Sequence, residues 1–496
     1  MNLTTDPWIP AVRADGTRAL FSLQGLFAEA HELRDLAVKP HERIALMRLL
    51  LCIAQAALDG PENEAAWEEC EPLIQPRVRD YLATWRDAFE LFGEGQRFLQ
   101  LPNLQPGKAA DEGNPATKLD LALATGNNST LFDNRAGEGR AVASARAALN
   151  LLTFQCFSPG GRIGVARWNG LETPGKGSSN HAPCTPSSML HTLVVEANLA
   201  TTIRLNLITR ETVGDVYPAG WGKPVWEHRI AQGADVGAVR NATHTYLGRL
   251  VPLSRAIRLD EQSDSIILAN GLDYPIFPAF REATATIVQR KDELGLLPAS
   301  TGRSLWRQLP AITVKRRASD QQSGPLALGH SQAGDNVTLW IGALVTDKAK
   351  IEDVVEGTYT IPAGLLSDFG RLAYENGVKH AEDAESTLIQ SVKTYAAELK
   401  VVTPAYDRAR QHFWTRVEQS LTALFEVARQ LTPPDQLAAS AWGRAVRAAA
   451  RDAFEQSCPR QTPRQIQAFA LGLRRLNTAP ATVKARQPKA SKTNAS

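Results

Sequence analysis

Thr360-Ile361-Pro362-Ala363-Gly364-Leu365-Leu366-Ser367-Asp368 is the point where the chain changes character. Before it, short β-rich runs such as Thr202–Leu207, Ser265–Leu268 and Val337–Ile341 alternate with Gly, Pro, Asn and Asp turns. After it, apolar residues recur at helical spacing almost without interruption, predicting helices near 363–380, 384–400, 404–431, 434–456 and 462–476. Their short Pro- or Asp-containing connections make antiparallel neighbours and hence a bundle. The fold class is α+β: a large mixed α/β N-terminal domain (1–362), then a C-terminal four-helix bundle (363–478). A basic tail, 479–496, is expected to be disordered.

Working back from that point, Pro40 to Leu58 is a strong helix, opened by His41-Glu42, with Ile44, Leu46, Leu49, Leu50 and Ile53 at helical spacing. Ala65 to Phe92 continues in helices. Asp6-Pro7-Trp8-Ile9-Pro10 is an extended entry strand, because proline fixes φ and removes a donor. Ala141 to Phe157 is a helix that stops at Ser158-Pro159-Gly160-Gly161. Between Pro102 and Gly139 the composition turns to Gly, Asn, Asp and Pro, the signature of a functional or mobile segment.

At 496 residues, with 43% hydrophobic and 22% charged content, the chain has enough apolar material for a real core. No stretch reaches the roughly 18 apolar residues of a membrane span, and no signal peptide opens the chain; a cytoplasmic location is expected. Cys52, Cys70, Cys156, Cys184 and Cys458 are scattered and odd in number, which encodes neither a zinc ribbon nor a disulfide framework. Charge is uneven: Pro433 to Ser496 holds eleven Lys/Arg against three Asp/Glu, leaving −5 on the rest of a chain whose total is +3. A basic end on a nearly neutral body suits a polyanionic partner.

Catalytic motifs are absent. Gly170 to Lys176 matches the first seven positions of a phosphate-binding loop, but Gly177 stands where Ser or Thr must hold magnesium. No GxSxG elbow and no HExxH helix occur. The expectation is a binding protein, not an enzyme, with no cofactor and no metal.

Several short motifs, in order, carry a resemblance: Asp6-Pro7-Trp8-Ile9-Pro10; Ser22-Leu23-Gln24-Gly25-Leu26-Phe27; the His41–Leu58 helix; the segment Gly126 to Gly139, the helix to Phe157 and Pro159-Gly160-Gly161; Asn270-Gly271-Leu272; Leu305-Trp306; Asp347-Lys348-Ala349; and His412-Phe413-Trp414. Together they resemble the CasA family, large subunits of type I-E CRISPR Cascade complexes. The resemblance implies a non-catalytic subunit whose partners are double-stranded DNA, a guide RNA, other Cascade subunits and a recruited helicase-nuclease. Guide pairing reads the target, and protein reads only a short flanking motif.

It also implies site residues. Gly160, with Gly161, is the glycine-loop position, where a missing side chain lets backbone approach the duplex; a helix C-cap is the alternative reading. Asp347, Lys348 and Ala349 fall on a wedge that enters the minor groove and splits the first base pair. The family often has an amide where Lys348 stands, and lysine cannot accept a hydrogen bond. Leu131, Phe132 and Asp133, in the mobile loop of about 126–139, fall where the family meets the guide RNA's 5′ end; a plug into the protein's own core is the alternative. Arg444, Arg447 and Arg451 recur at three- and four-residue spacing, a stripe for a displaced strand or a solvated face. The family's groove-inserting lysine falls on Asp264, which cannot serve; Arg258 lies nearby, and Lys315, Arg316 and Arg317 form a separate basic run.

Overall fold

The computed structural model describes all residues except 108–113, 124–140, 159–162, 174–181, 218, 231, 262–263, 276–279, 291–292, 317–321, 332–333, 335, 348–349 and 479–496. Two compact units emerge. One comprises Met1–Trp306, Lys315–Ser331 and Thr338–Tyr359, and the other Arg307–Val314, Gln332–Val337 and Thr360–Ser496.

The first unit is built around the helix Pro40–Leu58. Pro40 occupies its first turn, and the Lys39 N–H donates to the Glu42 carboxylate at 3.0 Å, satisfying a donor the helix cannot. Asp59, at φ 50°, closes it in the left-handed region. Its polar residues are buried as well as its leucines, because each finds a fixed partner: Gln55 donates to the Ile208 carbonyl at 2.8 Å and accepts from the Tyr246 hydroxyl at 2.7 Å. Around it lie small antiparallel sheets. Ile9–Arg13 pairs with both Arg18–Phe21 and Leu33–Leu36. Ser265–Asn270 pairs with Arg255–Leu259 and, at its other edge, with Asn114–Pro115. Val337–Asp347 lies between His191–Val194 and Lys350–Ile361.

One sequence expectation is overturned here. Thr202–Leu207 belongs to no strand; residues Leu199–Leu205 are a helix. Thr201, Thr202 and Ile203 favour strands by β-branching, but the Asn198 side chain caps the helix by accepting from the Thr201 N–H at 2.9 Å. Burial of Leu199, Ala200, Thr202 and Ile203 on one side completes the override.

In the second unit the helices are Asp368–Leu399, Tyr406–Glu418, Leu421–Arg429, Ala441–Ser457 and Pro463–Thr478. The break expected near 380–384 does not occur. Val378, Ala381, Leu388 and Val392 continue one buried stripe through it, and no glycine or proline intervenes. The expected 404–431 helix is instead broken at Gln419-Ser420, where the Ser420 N–H turns back to the Val417 carbonyl at 2.9 Å, a tighter three-residue step. Counting that broken pair as one rod, four rods pack together. At Gly377 a Cβ would come within 2.4 Å of Leu424 Cδ1, and the Gly377 carbonyl accepts from the Trp442 indole at 2.8 Å. Trp442 is fully buried. Trp442→Ala should therefore cost about 3–5 kcal/mol, read as a loss of the bundle's denaturant midpoint with unchanged far-ultraviolet helicity at zero denaturant.

The sequence also missed Arg307–Val314, which joins the second unit although it lies well before Pro362. Arg307 sits 4.0 Å from the Trp414 ring centroid and pairs with Glu382 at 2.7 Å. Of His412-Phe413-Trp414, Phe413 is fully buried bundle core, Trp414 is half-buried and His412 is exposed. All five cysteines are free, and burial pushes the thiols of Cys156 and Cys458 up to about 12. No described helix is long and apolar enough to cross a membrane.

Candidate nucleic-acid interface

Gly160 and Gly161, Lys348 and Ala349, and Leu131, Phe132 and Asp133 lie outside the described residues; what the structure gives is the framework that carries the first two groups. The helix Ser144–Phe157 leads directly to residues 159–162. Its end is locked by Gln155, whose side-chain amide donates to the carbonyls of Leu99 and Arg255, both at 3.0 Å, and accepts from the Arg255 N–H at 2.9 Å. Arg255, 1% exposed, donates from Nε to Ser158 Oγ at 2.7 Å and from Nη1 to Asn270 Oδ1 at 2.9 Å. Gly271 follows because a Cβ there would stand 3.1 Å from the Arg255 carbonyl carbon. Asn270-Gly271 thus acquires a physical role: it holds the arginine that holds the helix end. Ser158 leaves the helix extended, at φ −46° and ψ 119°, and the next residue is Pro159, whose ring forbids positive φ. A left-handed cap directly after Ser158 is therefore ruled out.

A short segment ties this helix end to the hairpin. The Thr185 N–H and hydroxyl both donate to the Cys156 carbonyl, at 2.9 and 3.0 Å, satisfying an acceptor the helix terminus leaves open. Three residues on, Ser188 Oγ donates to the Thr346 carbonyl at 3.0 Å and accepts from the Thr346 N–H at 2.9 Å. Asp347, next in the strand, is exposed. Residues 348–349 are the whole connection between Val337–Asp347 and Lys350–Ile361, neighbours in one sheet. Three peptide steps span at most about 11 Å, so one short segment holds the end of the helix Ser144–Phe157 and the end of the strand Val337–Asp347 side by side.

That segment is itself anchored from below. Arg249 Nη2 donates to the Cys184 carbonyl at 2.6 Å. The Arg249 Nε meets one oxygen of Glu282 at 2.8 Å, and Arg48 Nη1 meets the other at 2.7 Å. Glu282 is 1% exposed. Burial alone would raise its carboxyl, but the guanidiniums of Arg48 and Arg249 overrule it and hold it below its ordinary value. Sequence reasoning missed Arg48, Arg249, Glu282, Gln155, Thr185 and Ser188. Only Arg48, an arginine inside an otherwise apolar helix, gave a local sign.

The remaining cationic residues divide. Arg444, Arg447 and Arg451 are exposed on the helix Ala441–Ser457, opposite its buried Trp442, Val446, Ala450 and Phe454. Arg444 and Arg447 fold back on the carbonyls of Ala439 and Ala438, and Arg451 pairs with Glu455 at 3.0 Å. Such exposed contacts are weak enough to be exchanged for phosphates. Asp264 is exposed, and its hydrogen bond and charge repulsion with Asp260 raise its carboxyl, so the position is acidic and paired with another acid. Arg258 is committed to the Leu104 carbonyl at 3.0 Å. Among the described residues no group of His, Cys, Asp or Glu is placed to hold a metal ion.

Fold and framework define a two-unit α+β protein whose first unit presents a helix end and a hairpin tied to one segment, and whose second is a helical bundle with an arginine stripe. The family model for CRISPR-associated protein Cse1 matches residues 2–453. A CRISPR-associated protein CasA/Cse1 of Thermus thermophilus is 30% identical over 433 residues, 82% of this chain and 79% of its own. The solved structure of Thermus thermophilus CasA (Cse1) superposes with a TM-score of 0.73 at 25% identity, covering 96% of this chain and 99% of that one. A chain of a CRISPR RNA-guided surveillance complex has the same fold, with a TM-score of 0.74 at 16% identity over 96% of this chain and 99% of its own. This chain belongs to the CRISPR-associated Cse1 (CasA/Cse1) family.

Proposed function

We propose that this chain is the non-catalytic large subunit of an RNA-guided antiviral complex. In that role it recognises a protospacer-adjacent motif in the duplex minor groove, starts strand separation and helps to recruit a helicase-nuclease. Guide RNA and the other Cascade subunits are its standing partners, and double-stranded DNA its target. The observation that carries the reading is the Thr185–Ser188 segment, bonded at one end to Cys156 and at the other to Thr346. Through it the helix end before Gly160 and the strand end before Lys348 are held as one unit, which this reading offers to one partner.

The chemistry follows from the residues. Glycine lets backbone N–H groups reach groove or phosphate acceptors without a side chain between. Asp347, Lys348 and Ala349 enter beside it, and the few kcal/mol needed to unstack a step are offset by contacts to the opened strands. Arg444, Arg447 and Arg451 then offer phosphate contacts to a displaced strand.

The test is to swap the flanking motif at fixed ionic strength, using the assembled complex and a fully matched target. Each altered base pair should cost about 1–3 kcal/mol, or roughly 5- to 150-fold in affinity. A generic basic scaffold would instead bind every flank alike, with a steep salt dependence, and that result would remove the motif-reading role.

A further inference from the structure

The first unit holds a second cationic cluster that the preceding reading leaves unused. Tyr217, 3% exposed, stacks on Phe280 at 4.9 Å and 12°, and its hydroxyl has no hydrogen-bond partner among the described residues. Arg281, the next residue after Phe280, is held through Nη2 by Ser323 Oγ, while its Nε is buried and unpartnered among those residues. Burial and the neighbouring Arg316 guanidinium both hold Arg281 below its ordinary value. Arg316 also has a buried, unpartnered Nε, and its one acidic neighbour among the described residues is Asp215, at 4.0 Å. Lys315, the preceding residue, is tethered instead to the Ser331 carbonyl. Two guanidiniums thus lie near each other with one distant carboxylate among the described residues, beside a buried hydroxyl that lacks a partner there.

Like charges in a half-buried setting repel, and a protein gains nothing by gathering them unless an anion neutralises them. Guanidinium pairs match the geometry of a phosphate, which can accept from both while also accepting from a phenol. We infer that Arg281 and Arg316, beside Tyr217, form a binding site for a backbone phosphate of a nucleic acid. The site is distinct from the glycine loop, the wedge and the bundle stripe. It rests on the reading of the chain as a nucleic-acid-binding subunit but not on motif recognition.

The experiment titrates the full chain with a duplex DNA of about 30 base pairs, a single-stranded DNA and a single-stranded RNA of the same length, across a salt series. Counterion release sets the slope of log affinity on log salt at about 0.9 per phosphate contact on duplex and about 0.7 on single strands. Arg281→Gln with Arg316→Gln should flatten the slope by one to two such contacts on at least one of the three, and Arg281→Lys with Arg316→Lys should restore most of it. If the double variant fails to fold, Arg316→Gln alone carries the test, with the loss of one contact. An unchanged slope on all three nucleic acids in a folded variant, or no binding by the unsubstituted chain, overturns the site. A flattened slope alongside indifference to the flanking motif would uphold the site while removing the motif reading.

Discussion

Gly160→Asp and Lys348→Ala should each abolish binding of a matched target while leaving the subunit in the complex. The aspartate adds a side chain where backbone must approach the duplex, and it adds a negative charge beside phosphates. Either fault is costly, and no local rearrangement relieves both. Removing the Lys348 ammonium deletes a cation that neutralises phosphate or donates to groove acceptors. The bonds among Gln155, Arg255 and Asn270, and between Ser188 and Thr346, use neither residue, so the stems should keep their places. Filter binding with the assembled complex reads the affinity, and gel filtration reads retention of the subunit. Undiminished affinity in both variants would refute the site assignment.

A large loss of stability, equal to that expected of Trp442→Ala, should come from Glu282→Gln. This carboxylate lies between Arg48 and Arg249 with 1% exposure, and both guanidiniums would lose its charge. Breaking a buried ion pair from one side typically costs about 3–5 kcal/mol. Because Arg249 also holds the Cys184 carbonyl, the damage should spread to the segment that ties helix to hairpin. The pH dependence has a definite sign. Folding lowers the Glu282 value below its ordinary 4.5, so the triad's contribution is complete above that value and disappears as pH falls through the folded one. Urea unfolding across a pH series from neutrality down through the carboxylate range checks both: the variant's deficit relative to the native chain should be full at neutral pH and shrink once the pH drops below the ordinary value. A deficit of equal size throughout would mean that the carboxylate's charge is not what stabilises the unit.

Much of this architecture was legible in the residues because local signals and tertiary demands agree. Pro40 at a first turn, the apolar spacing to Leu58 and the change of character at Pro362 are statements about backbone propensity and period, which the fold leaves intact. Where they conflict, tertiary burial wins, as at Thr202, drawn into a helix by an asparagine cap and a packed face. The break at Gln419-Ser420 had no proline or glycine to announce it. The candidate site divides in the same way. The proposed contact residues, Gly160, Asp347 and Lys348, are readable from order and resemblance. The residues that hold them are not, since Gln155 and Arg255, or Arg48 and Glu282, lie 100 and 234 positions apart in sequence. Nothing local marks Arg255 as the partner of Ser158, 97 positions earlier.

The central claim is that the glycine turn and the hairpin end open the duplex together. A 2-aminopurine placed in the first target base pair beside the flanking motif reports that opening directly. Its fluorescence should rise when the unsubstituted complex binds, and should stay at the duplex level with Lys348→Ala or Gly160→Asp at concentrations where binding is forced. An equal rise in both variants would show that strand separation starts elsewhere.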